Sequence, residues 1–235
     1  MAADRVPARW IKFVLVGAFV AVIAGFFALG GPNYLNLETI KANRDALLAF
    51  ADRNLVAALA IGFLVYAGAT AFSLPGGLVL SLTMGFIFGR WVGTLLVIFA
   101  ATVGATLVFL AARYVFADAA RSRLGALGAK INAGFTKDAF SYLLFLRLVP
   151  LFPFFLVNLA PAFTSIPVRT FIAATFIGII PGSFVFVNLG QTLGRIDSLQ
   201  GLVSRETLAA FALLGAFALV PVLLRKFKSM RSPTA

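Results

Sequence analysis

The chain has 235 residues, of which 61% are hydrophobic and 12% charged, against about 45–50% and about 25% in a soluble domain. A soluble fold of this size has no interior large enough for that much apolar surface. A bilayer takes it readily, and at roughly 20 residues per span the length suffices for one membrane domain with short loops. The net charge of +12 lies beside apolar stretches rather than on a polar face interleaved with aromatics, which is the positive-inside bias of a membrane protein and not a nucleic-acid footprint. The absence of Cys and His excludes disulfides, thiolate metal sites and Cys- or His-based catalysis.

The first span is Ile11 to Leu29, preceded by Arg5, Arg9 and Lys12. Its apolar run exceeds the length of a signal-peptide core, so an uncleaved span is favoured over cleavage near Ala28–Gly30. Residues 30–54 are polar, and Leu37, Ile40, Leu47, Leu48 and Leu55 mark one face of a helix at the membrane surface. The apolar stretch from Leu55 to Phe116 is interrupted by Ser73-Leu74-Pro75-Gly76-Gly77. Proline removes a donor and clashes with the preceding turn, so the stretch divides into half-length segments at 56–72 and 78–89, then a full span from Trp91 to Val115. Gly85, Gly89, Gly93 and Gly104 have the small-residue spacing of close helix contacts. Residues 117–138 are polar. The next apolar stretch, Ala139 to Phe163, is broken at Pro150 and Pro153. Spans follow at Phe171–Leu189, bent near Pro181-Gly182, and at Leu208–Leu224, with a basic tail beyond.

Orientation follows from Lys and Arg. With both termini, the 113–138 loop and Arg169 on the cytoplasmic side, that side holds 13 basic residues against 6 opposite. The assignment requires each broken segment to enter and leave on one side, the first from outside and the second from inside. That is an inverted repeat of two re-entrant hairpins, with Pro75 and Pro150 at corresponding places. The expected fold is all-α and polytopic, with these hairpins and about four transmembrane helices. It divides into an N-terminal helix and surface helix (1–54), a membrane core (55–190), and a C-terminal helix with a basic tail (191–235).

All eight carboxylates and 19 of the 20 basic residues fall in loops or at span edges; the remaining one is Arg147. An arginine at membrane depth costs at least about 2.5–3.5 kcal/mol and stays protonated. With no buried carboxylate to pair it, Arg147 needs an anion, water or carbonyls freed by Pro150 and Pro153 around Leu146 and Val149. A phosphate group matches the guanidinium fork. Two roles stay open on the sequence: ligand holder, or snorkelling clamp on the broken backbone. Asn158, on the returning half of the hairpin, caps free backbone or lines a cavity, with capping favoured. Arg113 reads as an interfacial anchor. No Walker loop, no carboxylate pair on one helix and no metal cluster occurs, so no enzyme, cofactor or metal is expected.

Two blocks carry a family resemblance. The first is Leu74-Pro75-Gly76-Gly77 followed by Gly85-Phe86-Ile87-Phe88-Gly89 and Gly93. The second is Phe145-Leu146-Arg147-Leu148-Val149-Pro150-Leu151-Phe152-Pro153, then Asn158, Pro167, Phe171, Gly178, Pro181-Gly182 and Gly190. Over about 56–190 the chain resembles the SNARE-associated Golgi protein (VTT domain) family of the DedA superfamily. The resemblance implies two oppositely oriented re-entrant hairpins and lipid translocation: undecaprenyl phosphate in some bacterial members, phospholipid scrambling in eukaryotic ones. The chain departs from the bacterial pattern, which often places acidic residues near the positions held here by Tyr66 and Gly77. Pro153 lies where those proteins have a second arginine.

The expected function is therefore flippase- or scramblase-like lipid translocation, of anionic or polyprenyl-phosphate lipids, in a bacterial cytoplasmic membrane. Arg147 would hold the phosphate, and Pro75, Gly76, Gly77, Pro150, Pro153 and Asn158 would form the site around it. Gly85, Gly89, Gly93, Pro181 and Gly182 would serve as hinge or packing positions. The alternatives are a small-anion or ion-coupled secondary transporter and a non-transporting membrane-homeostasis protein.

Overall fold

Apolar residues surround the whole circumference of the first helix, α1 (Ala8–Ala28), and Trp10, Phe13, Val14, Val20 and Phe27 project outward from it. A computed structural model describes residues 8–34, 37–123, 139–148 and 154–193, and the regular structure among these is helical throughout. The polar stretch expected as one surface helix forms three short ones: α2 (Gly31–Tyr34), α3 (Leu37–Ala42) and α4 (Arg44–Arg53). Asn43 separates α3 from α4, and the turn around Gly30 separates α1 from α2. Ile40 and Ala51 are buried, whereas Leu55 leaves that face and opens the next helix.

Charge changes abruptly at Asn54. Helix α4 contains Asp45, Asp52 and Arg53, while α5 (Leu55–Ala71) contains no charge at all. The two meet at 120°. Helix α5 then ends where the sequence breaks. Ser73 N–H donates to the Thr70 carbonyl (3.0 Å) and Leu74 N–H to the Ala69 carbonyl (2.8 Å), a Schellman pair that satisfies the last carbonyls. The motif needs one residue in the left-handed region, and Ser73 occupies it at φ +53°. Pro75 prevents the helix from resuming in line.

Helix α6 (Gly77–Arg123) changes direction at Gly89, which has φ 73° and ψ 176°. In a straight helix Met84 and Gly93 would lie about 13 Å apart along the axis. Instead, a Cβ added to Gly93 would sit 2.7 Å from the Met84 carbonyl oxygen. The chain therefore reverses at Gly89, a backbone conformation open to glycine and strained for other residues. The result is a short segment, α6a (77–88), and a long one, α6b (90–123). The apolar length from Gly77 to Val115 is enough for a span, but the part that runs in one direction begins after Gly89. Helix α5 packs antiparallel to α6a, with Tyr66 Oη and Ser81 Oγ hydrogen-bonded at 3.0 Å. Gly62 meets Met84, Phe88 and Leu96 together, so α5 contacts both segments.

The second half contains α7 (Ala139–Leu148), α8 (Phe154–Leu159), a 3₁₀ turn (Ala160–Phe163) and α9 (Val168–Leu193). Pro150 and Pro153, the loop at 124–138 and the expected last span at 208–224 lie outside the described residues. Helix α9 is the second stretch long and apolar enough to cross a membrane. Pro181, where a bend is expected, lies inside it as part of one helical element.

Helices α6b and α9 are antiparallel. Trp91 packs on Phe184, Phe99 on Phe176 and Phe109 on Phe171, at centroid distances of 5.7, 5.2 and 4.1 Å. Around this pair lie two cores, one of Tyr66, Leu80, Met84, Leu96, Val97 and Val187, the other of Phe109, Leu143, Val157, Ile166 and Phe171. Where α6a crosses the end of α9, the backbones touch: a Cβ on Gly85 would strike the Val187 carbonyl, and one on Gly190 the Leu82 carbonyl.

Each end of the α6b–α9 pair holds a turn belonging to the other half. At one end Gln191 Oε1 accepts from the Arg90 N–H (2.7 Å), directly after the Gly89 reversal. At the other, Arg113 Nη2 donates to the Thr164 carbonyl (2.8 Å) and Nε to the Ala162 carbonyl (3.4 Å), with the guanidinium 4.4 Å from the Phe109 ring centroid. Arg113, expected as an interfacial anchor, thus also closes the end of the 3₁₀ turn.

Replacing either glycine of the crossing, Gly85→Ala or Gly190→Ala, is expected to destabilise the fold by roughly 1–3 kcal/mol, the cost of overpacking. Gly68→Ala, where an added Cβ meets nothing within 4 Å, is expected to leave it unchanged. Thermal denaturation of the purified chain in detergent distinguishes the three. Arg113→Ala leaves two carbonyls without their donor and is expected to cost about 1–3 kcal/mol in the same assay.

Candidate functional site

Ser73, Pro75, Gly76 and Gly77 end the first hairpin beside Arg147. These residues line one cavity of about 580 Å³, together with Tyr66, Thr70 and Ser81 from the first half and Phe154, Gly178, Pro181, Gly182 and Ser183 from the second. The cavity meets α9 between Gly178 and Phe186, near the middle of a helix about 39 Å long. On α9 it stops at Phe186, about 8 Å of helix rise short of Gln191, and starts at Gly178, about 15 Å from the beginning of the helix at Val168. No Asp or Glu is among the residues that line it.

Arg147 reaches the cavity by crossing Gly178. A Cβ at Gly178 would lie 2.6 Å from Arg147 Cβ and 3.1 Å from its Cγ, so any larger residue would displace the side chain. Its Nη2 donates to Thr175 Oγ1 at 2.9 Å. The guanidinium carbon lies 5.4 Å from the ring centroids of both Phe154 and Phe171, close enough for cation–π attraction. The side chain as a whole is half-buried. Its Nε and Nη1 are buried and have no hydrogen-bond partner among the described residues. A buried cation with unsatisfied donors loses free energy until an acceptor arrives, so the pocket is suited to an anion. The carbonyl of Val149, expected as a partner, lies outside the described residues, as do Pro150 and Pro153.

The other expected site residues separate in space. Pro181 and Gly182, expected as hinge positions, line the cavity. Gly85 and Gly93 lie in the α6–α9 crossing, and Gly89 makes the reversal. Asn158 is fully buried in α8 but does not line the cavity, and neither oxygen nor nitrogen of its amide has a partner among the described residues.

The sequence reading did not include Thr175, Ser73, Tyr66, Ser81 or Ser183 in the site. Thr175 is one small hydroxyl in an apolar run, and only its position on the turn before Gly178 distinguishes it. Tyr66 and Ser81 are fifteen residues apart, and only the reversal of the chain between them brings them together.

A family model, the VTT domain, matches residues 74–192, which include both breaks, Arg147 and α9. An uncharacterized membrane protein of Arabidopsis thaliana is 32% identical over 239 residues, covering 95% of this chain and 83% of its own. A transmembrane protein 41 homolog of Dictyostelium discoideum is 30% identical over 199 residues, covering 81% of this chain; the chain spans 58% of that relative's length. Transmembrane protein 41B of Gallus gallus is 25% identical over 194 residues, covering 81% of this chain and 72% of its own. No solved structure matches the chain. These relatives are eukaryotic and lend no support to a bacterial setting. The apolar helices, the domain match and the relatives together make this an integral membrane protein that belongs to the VTT-domain, SNARE-associated Golgi protein family of the DedA superfamily.

Proposed function

We propose that this chain carries lipid headgroups across the bilayer, as a flippase or scramblase does, with Arg147 holding the phosphate. One observation carries the reading: an arginine with two buried donor nitrogens that have no partner among the described residues lines a cavity of about 580 Å³ beside the break at 73–76. Non-helical backbone at membrane depth is tolerated only where protein or an aqueous cavity surrounds it. A cavity at that point offers a headgroup a station within the protein, mostly apolar, with Arg147 and the hydroxyls of Tyr66, Thr70, Ser73, Ser81 and Ser183 as its polar lining.

On this reading the two halves are an inverted repeat of re-entrant hairpins. The first is α5, the break at 72–76 and α6a; the second is α7, the residues between Leu148 and Phe154, and α8 with its 3₁₀ turn. Supporting it, the turns that follow α6a and α8 are held at opposite ends of the α6b–α9 pair, by Gln191 and by Arg113, while the first break and Arg147 line a common cavity. Both termini are placed in the cytoplasm by the Lys and Arg asymmetry. The partners are membrane lipids with a phosphate group, polyprenyl phosphate among them, and the role is non-enzymatic.

A second reading has its own support. Thr175 and the faces of Phe154 and Phe171 already engage part of the guanidinium, as they would if Arg147 only tied α7 to α9 in a non-transporting protein. A small-anion transporter would use the same unpartnered nitrogens.

Reconstitution into liposomes with fluorescent phospholipids and dithionite quenching tests the proposal. Wild type is expected to equilibrate the leaflets, and Arg147→Ala to slow this by about tenfold or more, the equivalent of losing a charge-assisted hydrogen bond. Equal rates at equal protein incorporation would remove Arg147 from the mechanism. Saturable uptake of a small anion with no lipid movement would establish the transporter instead.

The orientation is checked with single cysteines, since the chain has none of its own. Tyr34→Cys and Arg169→Cys, both at exposed positions, are expected to react with an impermeant maleimide from opposite sides of the membrane, Arg169→Cys from the cytoplasm. Labelling of both from one side would overturn the arrangement.

A further inference from the structure

We propose that the start of α6a forms the second half of the headgroup site: the amides of Gly77 and Leu78 and the hydroxyl of Ser73 bind the same phosphate group as Arg147 and select lipids whose headgroup is purely anionic. This inference rests on the reading of the cavity as a lipid-headgroup station.

The helix begins without a cap. Its first internal bond is Leu80 N–H to the Gly76 carbonyl at 2.9 Å, which makes Gly76 the N-cap. Ser, Thr, Asp and Asn are preferred at this position because their side-chain oxygens accept from the next amides. Gly76, at φ +110°, has no side chain to do so, and no acidic residue stands in the first turn. The amides of Gly77 and Leu78 precede the first internal bond and donate to no carbonyl among the described residues. Both residues line the cavity. Such a helix start is an anion site by its free donors and by its dipole, and half-helix starts at the bilayer midplane serve this purpose in transporters.

Two independent features point to a ligand. Arg147 faces the same cavity with Nε and Nη1 buried and unpartnered among the described residues, and Ser73 Oγ is likewise buried and unpartnered. Ser73 also occupies a left-handed position, φ +53°, that glycine would take without strain. A residue kept in a strained conformation with its hydroxyl idle is one whose side chain has a use. Residues that line the cavity thus carry donors with no partner among the described residues: Arg147, Ser73 and the first residues of α6a.

The complementary ligand is a group of several oxygen acceptors with net negative charge: a phosphate. Because no carboxylate is among the described residues that line the cavity, an amine-bearing headgroup would bring a second positive charge beside Arg147 with none of these residues to pair it. The site therefore favours a phosphomonoester, or a phosphodiester without an amine, over a zwitterionic headgroup.

The test uses the purified full chain in detergent, with short-chain dihexanoyl phosphatidic acid, dihexanoyl phosphatidylcholine and inorganic phosphate as probes in thermal-shift titrations. Phosphatidic acid is expected to stabilise wild type at concentrations about tenfold below those of phosphatidylcholine. Ser73→Ala is expected to weaken phosphatidic acid by about fivefold, the loss of one hydrogen bond. Gly77→Asp has room, since an added Cβ meets nothing within 4 Å. Its carboxylate would occupy the anion position and is expected to abolish the preference. No preference in wild type, or a preference lost in Arg147→Ala yet intact in both Ser73→Ala and Gly77→Asp, would overturn the inference while leaving the lipid-carrier reading in place. Inorganic phosphate binding as tightly as phosphatidic acid, with the same sensitivity to both substitutions, would support the paired site and overturn the lipid reading. If Gly77→Asp does not fold, the Ser73→Ala titration decides alone.

Discussion

Backbone amides and carbonyls inside a bilayer must find partners within the protein, because the hydrocarbon offers none. A helix meets this requirement by itself; a broken helix does not. The chain contains a break at Ser73–Gly76, and the rest of the architecture serves to enclose it. The Schellman bonds at Ser73 and Leu74 satisfy the carbonyls on one side. The antiparallel α6b–α9 pair supplies a wall, and the glycines of the crossing let α6a and α9 meet at backbone distance. What is left unsatisfied lies against a cavity rather than against lipid.

Arg147 belongs to the same economy of partners. Its neighbours are a threonine hydroxyl and two aromatic faces, enough to fix the guanidinium in place and too few to satisfy it. A fully paired arginine would be a structural clamp; an unpaired one would carry a large penalty in a low-dielectric interior. Partial satisfaction leaves an oriented charge with donors to spare. Neither Gln191 nor Arg113 lines the cavity, so the turns can stay anchored while the cavity accommodates a ligand.

Much of this was legible in the sequence because proline and charge are unambiguous inside apolar runs. Pro75 with Gly76-Gly77 places the first break, and the observed helix ends lie within about two residues of those expected, the ordinary scatter of boundary assignment. Arg147 stands out by elimination. The reversal at Gly89 was marked only as a segment end, since a glycine in a small-residue series reads equally as packing or as a turn; its positive φ is a property of the fold. Thr175, Tyr66 and Ser81 were missed for a related reason: single hydroxyls carry no periodic signal, and their partners are far away in sequence. The stretch 30–54, expected as one surface helix, is divided at Asn43, a break that the spacing of its apolar positions does not show.

The contact between Arg90 and Gln191 joins residues 101 apart in the chain, and this separation bears on biogenesis. At a synthesis rate of roughly 5–20 residues per second, the first hairpin enters the membrane on the order of 5–20 s before the strip of α9 that covers it has been made. During that interval Gly85 lacks the Val187 backbone against which it packs. The nascent first half is therefore a natural client for whatever shields polar backbone at the insertion site, and the arrival of residues 182–191 is the step that releases it.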